Sequence, residues 1–294
     1  MFDNLIIGYL FLGGAGAGMI LILSLLDFVA NFSWKCPSQR RNAWKSELYR
    51  AFFARGYVFA VLLISFGALC LLIDTGHPER FFYVLLYPTM SVLTFGSYVL
   101  VGALVCAAVL GAISWLNLVW VPRRVIKVVE IASVVFGLAT MLYTGVFLME
   151  IDFIPLWNNA FLPMLFVLSA LSVAVGCLLC CLVFFVNDYR CDSLLRMMSR
   201  LDMIFIVAEG VCLVAYLIFA CVMLNATDLV FELVFGVNAL VFWVGFVVCG
   251  LVLPFILGVA YTKMNDIRLL EAAIPLVLIG GFALRYCVVN VPCM

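Results

Sequence analysis

Apolar residues run along this chain in blocks of about twenty, each closed by a short polar or charged stretch. The blocks lie near residues 5–31, 54–73, 91–115, 127–149, 161–186, 203–224, 237–261 and 270–289. Each matches the roughly 20 residues that a helix needs to cross about 30 Å of hydrocarbon. None alternates with the period of two that a membrane barrel requires, and backbone in lipid must satisfy its own hydrogen bonds. The pattern therefore predicts an all-α integral membrane protein with eight transmembrane helices. Residues 228–262 would form a helix about 50 Å long at 1.5 Å per residue, too long for one crossing. A break near Gly236 is expected, leaving 228–235 as an interfacial piece and Pro254 as a kink in the following span. Residues 152–163, with Pro155, Trp157, Asn158 and Asn159, read as a second interfacial segment.

Composition agrees. The chain is 68% apolar and 11% charged, with a mean hydropathy of +1.27, which leaves too little polar surface for a soluble domain of this size. Its zero net charge gives phosphates no basic face to meet, so nucleic acid is excluded as a partner and membrane lipid takes that place. The first block has no basic n-region and no small-residue cleavage site, and is expected to be a retained span. Most of the twelve cysteines, including Cys70, Cys106, Cys212, Cys221 and Cys249, fall inside apolar blocks, where a thiol acts as a small hydrophobe. Cys177, Cys180 and Cys181 form a CxxC-like cluster without a second pair or a histidine nearby, so packing is expected there and no metal. Cys287 and Cys293 would pair only in an oxidising compartment.

Charge sets an orientation. Fourteen of the sixteen lysines and arginines fall on one side of the eight-span arrangement; Arg80 and Arg285 fall on the other. The positive-inside rule makes the fourteen cytoplasmic, which predicts a multi-pass protein of the cytoplasmic (inner) membrane with both termini outside. The outer face then collects Asp3, Asp74, His77, Glu79, Arg80, Glu150, Asp152, Trp157, Asp228, Glu232 and Arg285. On this scheme Arg285 is expected to steady the outer loop or to face a partner.

Candidate chemistry is sparse. The island Asp74-Thr75-Gly76-His77-Pro78-Glu79-Arg80-Phe81 holds the one histidine, either to fix the loop or to exchange protons at a pocket. One histidine cannot supply a bis-histidine haem site. Asp27, Glu130 and Glu209 fall within spans, where an ionised acid is unfavourable by about 3 kcal/mol or more. Asp27 and Glu130 lie near the cytoplasmic boundary and are expected to be solvated or salt-bridged. Glu209 is deeper, and reads as a hydrogen-bonded acid or a proton relay. Gly14 and Gly18 share a helix face suited to close packing or to a flat ring-shaped ligand. Tyr143, beside Gly145 and roofed by Glu150, Trp157 and Asn158, suits a planar ring, or is an interfacial belt tyrosine. An ion or solute transporter is the rival reading, favoured by the intramembrane acids and disfavoured by the lack of paired broken helices with polar midplane motifs.

Five stretches together resemble the NrfD/PsrC-type membrane subunits of polysulfide, tetrathionate, nitrite and related reductases. They are Tyr9-Leu10-Phe11-Leu12-Gly13-Gly14-Ala15-Gly16-Ala17-Gly18; Asp74 to Phe81 with Leu86-Tyr87-Pro88 and Gly96-Ser97; Tyr143-Thr144-Gly145 with Pro155-Leu156-Trp157-Asn158 and Leu162-Pro163; Leu201-Asp202 with Glu209; and Gly280-Gly281 with Leu284-Arg285-Tyr286. The resemblance implies two four-helix bundles, over 1–149 and 150–294, and a haemless quinone-binding membrane anchor of a respiratory oxidoreductase. Menaquinone or ubiquinone would bind near the outer face. The protein would exchange electrons with a ferredoxin-like iron-sulfur subunit, itself joined to a catalytic, molybdopterin-type subunit. Tyr143 matches the tyrosine that contacts the quinone in that family. A histidine that some members use at the start of the first span is absent, which leaves Asp3 and Asn4 as polar candidates. His77 stands where the family usually has a basic residue. Site residues implied in this way are Tyr143, His77 and Glu209 for proton and ring chemistry, with Asn4, Asp3, Asp74, Arg80, Glu150, Trp157 and Asn158 around the ring or its loop.

Overall fold

The computed structural model describes residues 4–33, 47–74, 91–118, 120–150, 154–186, 192–224 and 226–290. Asp3, His77, Glu79, Arg80, Asp152 and Cys293 lie outside the described residues, as does the side chain of Asn4. All regular structure among the described residues is helical: α1 (Asn4–Ser33), α2 (Glu47–Asp74), α3 (Val92–Trp115), α4 (Arg123–Met149), α5 (Phe161–Cys180), α6 (Asp192–Val222), α7 (Thr227–Phe235), α8 (Leu253–Met264) and α9 (Ile267–Asn290). A π-helical turn, Cys181–Val186, extends α5, and a longer one, Val241–Val252, leads into α8.

Eight of these helical stretches are long and apolar enough to cross a membrane, and they coincide with the eight apolar blocks. The sixth begins earlier than the apolar pattern suggests, at Leu194. Leu194, Leu195 and Met198 are buried there while Arg196 and Arg200 face outward. Such an amphipathic start carries too many charges to register as an apolar run. The break at Gly236 is present: α7 ends there, and the Gly236 amide donates to the Glu232 carbonyl at 2.8 Å. Pro254 sits in the first turn of α8. It has no amide hydrogen to donate, and the helix in front of it is wound wide, so the expected irregularity takes the form of a π-helical stretch.

Successive spans run back and forth, so the start of α1 and the ends of α4, α6 and α9 share one face. Arg50, Arg55, Arg123, Arg124, Lys127, Arg196, Arg200, Lys263 and Arg268 all lie at the opposite helix ends. Of the spans, α1 and α5 are the most enclosed, with 78% of the core window buried in each against 28% in α2. That makes them the centre of the structure. From there α1 packs against α2, α4, α5 and α9. A Cβ on Gly16 would stand 2.6 Å from Ile64 Cγ1 of α2, and one on Gly18 would stand 2.8 Å from Ala174 Cβ of α5. The glycine run is therefore a helix-packing surface in two directions, with no room left for a ring along it.

The turn before α5 is not a strip lying on the surface. Leu156, Trp157 and Asn159 are buried, while Pro155 and Asn158 are exposed. The Trp157 indole donates to Val288 O (2.9 Å), Asn159 Nδ2 to Tyr216 O (3.0 Å), and Tyr216 Oη to Leu156 O (3.0 Å). Here one segment caps a loose carbonyl at the end of α9, adds a second donor to a carbonyl of α6, and is held down by both.

Candidate functional site

At the face shared by the start of α1 and the end of α4, Tyr9 and Tyr143 meet. Both are almost fully buried, at 3% and 4% exposure. The Tyr143 ring lies so close to α3 that a Cβ added to Gly96 would fall within it. One turn further along α4, Phe147 sits 6.0 Å from the Tyr143 ring. The two tyrosine hydroxyls interact electrostatically but form no aligned hydrogen bond, and Tyr9 Oη has no hydrogen-bond partner. The other hydroxyls nearby are satisfied within their own helices: Ser97 Oγ donates to Leu93 O at 2.8 Å, and Thr144 Oγ1 donates to Met141 O at 2.6 Å.

A buried hydroxyl without a partner is unfavourable by about 1–3 kcal/mol, so such groups call for an explanation. Four described side chains hold an unpartnered buried polar atom: Tyr9, Glu130, Ser199 and Asn238. Of these, Tyr9 faces a second tyrosine across an aromatic-lined, glycine-floored contact. Glu150, the exposed residue that ends α4, lies within electrostatic reach of Tyr143.

The remaining expected site residues divide. Asp74 closes α2 and is half-buried. Trp157 has a single donor, committed to Val288 O; Asn158 is exposed. Glu209 does not join the tyrosines. It lies within electrostatic reach of Ser169, Arg285 and Asp202, and Asp202 accepts a 2.8 Å hydrogen bond from Ser172 Oγ. Arg285 corrects the expectation drawn from charge placement. It is 1% exposed, enclosed among α1, α5 and α9, and has no access to a partner's surface. An apolar helix can carry an arginine inward when neighbouring helices supply acceptors for its donors.

Asp27 and Glu130 are both buried, at 6% and 3%, which removes the solvated one of their two expected roles. They lie around Tyr57, whose hydroxyl is 3.3 Å from Ser24 Oγ and feels both carboxylates. Among the described residues, no three of His, Cys, Asp and Glu are grouped so as to hold a metal ion.

The sequence did not mark Tyr9, Gly96 or Ser169 as site residues. A weak signal for Tyr9 was present: it precedes Gly13 by one helical turn, and its ring lies 3.4 Å from where a Gly13 Cβ would be. Nothing in the sequence places Gly96 beneath Tyr143, because that contact joins helices 47 residues apart.

Two comparisons bear on this arrangement. The profile of a family described as "Polysulphide reductase, NrfD" matches residues 1–292. The C subunit of the polysulfide reductase of Wolinella succinogenes is 27% identical to this protein over 299 aligned positions, which span 95% of the present sequence and 90% of that subunit. With eight membrane-length helices and a profile match over nearly its whole length, this chain belongs to the NrfD family of polysulfide-reductase-type membrane subunits.

Proposed function

We propose that the protein is the haemless quinone-binding anchor of a respiratory oxidoreductase and that the Tyr9–Tyr143 contact is where the quinone ring is held. The observation that carries this reading is the buried, unpartnered Tyr9 hydroxyl facing Tyr143. The donor set fits the ligand. A quinone is a flat ring with carbonyl acceptors, and here two phenol donors converge beside an aromatic ring and a glycine floor. Menaquinone or ubiquinone, when bound, supplies a carrier of two electrons and two protons. In this reading Tyr143 and Tyr9 donate to the ring oxygens and fix the ring plane, with Asn4 or Asp3 adding polar contacts from the start of α1.

Glu150, exposed at the end of α4, exchanges protons with water at its carboxylate, and His77 and Asp74 do the same from the loop that follows α2. Trp157 and Asn158 roof the site, Arg80 steadies the loop, and Glu209 holds a proton within the membrane. With the basic helix ends in the cytoplasm, the site opens to the outer face and both termini lie outside. A ferredoxin-like iron-sulfur subunit docks there and connects to a molybdopterin-type catalytic subunit. The name of the Wolinella succinogenes relative, one subunit of a multi-subunit polysulfide reductase, supports an assembly of this kind.

The test adds quinol to the purified complex and follows cluster reduction. Slowed reduction in Tyr143→Phe and His77→Ala supports the site; unchanged rates in both intact variants remove it.

A further inference from the structure

A second buried centre is tied to the first through the backbone. Arg285 Nε donates to Leu10 O at 3.1 Å, and Nη1 donates to Gly281 O at 2.7 Å and to Ser169 Oγ at 3.3 Å. Its guanidinium lies over the rings of Phe11 (5.7 Å) and Phe166 (5.6 Å). Three helices thus meet on one guanidinium: α1 through Leu10, α5 through Ser169, and α9 through Gly281 and Arg285 itself.

Access to Leu10 O depends on Gly14, one turn later on α1. A Cβ there would stand 3.2 Å from Arg285 Nη2 and 3.4 Å from Ala170 Cβ, so the missing side chain is what lets the fork reach the helix backbone. Leu10 follows Tyr9 directly. The carbonyl that Arg285 grips is therefore one residue from the unpartnered hydroxyl, and it fixes both the height and the rotation of α1 at that point.

We propose that Arg285 is a positioning residue for the ring site: it tethers α1 at Leu10 so that Tyr9 faces Tyr143, and Ser169 and Gly281 hold the guanidinium in place. This rests on the quinone-site reading above. It adds that residues of α5 and α9, remote in sequence, set ring affinity through α1. A planar guanidinium with directed donors does this in a way that an ammonium cannot.

The test is a double-mutant cycle on ligand affinity. The full-length protein, purified in its complex and placed in lipid nanodiscs, is titrated with a short-chain naphthoquinone and read by quenching of protein fluorescence. Arg285→Lys should weaken binding about five- to tenfold, and Tyr9→Phe to a similar degree, with the double variant no more than about twofold weaker than either. Should Arg285→Lys fail to fold, Gly14→Ala keeps every charge and presses on Nη2. It should weaken binding two- to threefold, and only when Tyr9 is present. Multiplying effects, or unchanged affinity in Arg285→Lys or in its Gly14→Ala substitute, would overturn the positioning role while leaving the quinone site standing. An unmodified protein that does not bind the quinone overturns both.

Discussion

The two buried polar centres differ in one respect that separates their roles. Around Arg285, the guanidinium has acceptors on α1, α5 and α9. Around Tyr9 and Tyr143, one buried hydroxyl faces the other tyrosine and makes no hydrogen bond. The first arrangement is complete in itself, and buried charge tolerates nothing less. On the proposed reading, the second is completed by an acceptor from outside the protein. A membrane interior discourages both burial of charge and unmet donors, so the contrast marks one centre as a lock and the other as a receptor.

Breaking the lock should have the largest effect. Arg285→Ala removes three buried hydrogen bonds made by a charged donor, each worth about 1.5–3 kcal/mol, read as a sharp fall in folded, detergent-extractable protein. Overfilling the receptor comes next. Gly96→Leu places a side chain where the Tyr143 ring lies, and overpacking of this kind destabilises by about 1–3 kcal/mol. Thermal unfolding of the purified protein should show that loss, together with abolished quinone quenching.

A gentler change sharpens the receptor's chemistry. Tyr143→Phe keeps the ring and removes one donor, a net loss of about 0.5–1.5 kcal/mol that appears as a several-fold rise in Kd with little change in Tm. Tyr216→Phe serves as the control. It removes the 3.0 Å bond to Leu156 O, so Tm should fall by an amount corresponding to about 1 kcal/mol while quinone affinity stays constant.

Much of the fold was legible because lipid imposes simple rules. Span number, the break at Gly236 and the close packing of Gly14 and Gly18 all follow from length, punctuation and residue size. The site was legible only in part. Tyr143 announced itself beside a glycine, yet what makes it a candidate receptor is Gly96 beneath it and Tyr9 opposite, and neither is near it in sequence. Arg285 was misplaced for an instructive reason. Counting charges by helix end treats every arginine as solvated, whereas this one is carried inward because Leu10, Ser169, Gly281 and Glu209 converge on it. No local pattern encodes that convergence. Trp157 shows the same limit: its indole caps α9 through Val288 O, a bond across 131 residues.

The most direct measurement compares Tm for the unmodified protein and Tyr9→Phe, each with and without a saturating quinone analogue. Removing a hydroxyl that has no partner should leave the ligand-free variant as stable as the original or more so, by up to about 1–3 kcal/mol, and should cut the stabilisation gained from the analogue. A ligand-free Tyr9→Phe variant that is less stable than the original, with its full gain from the analogue intact, would contradict the assignment of this pair to the ring.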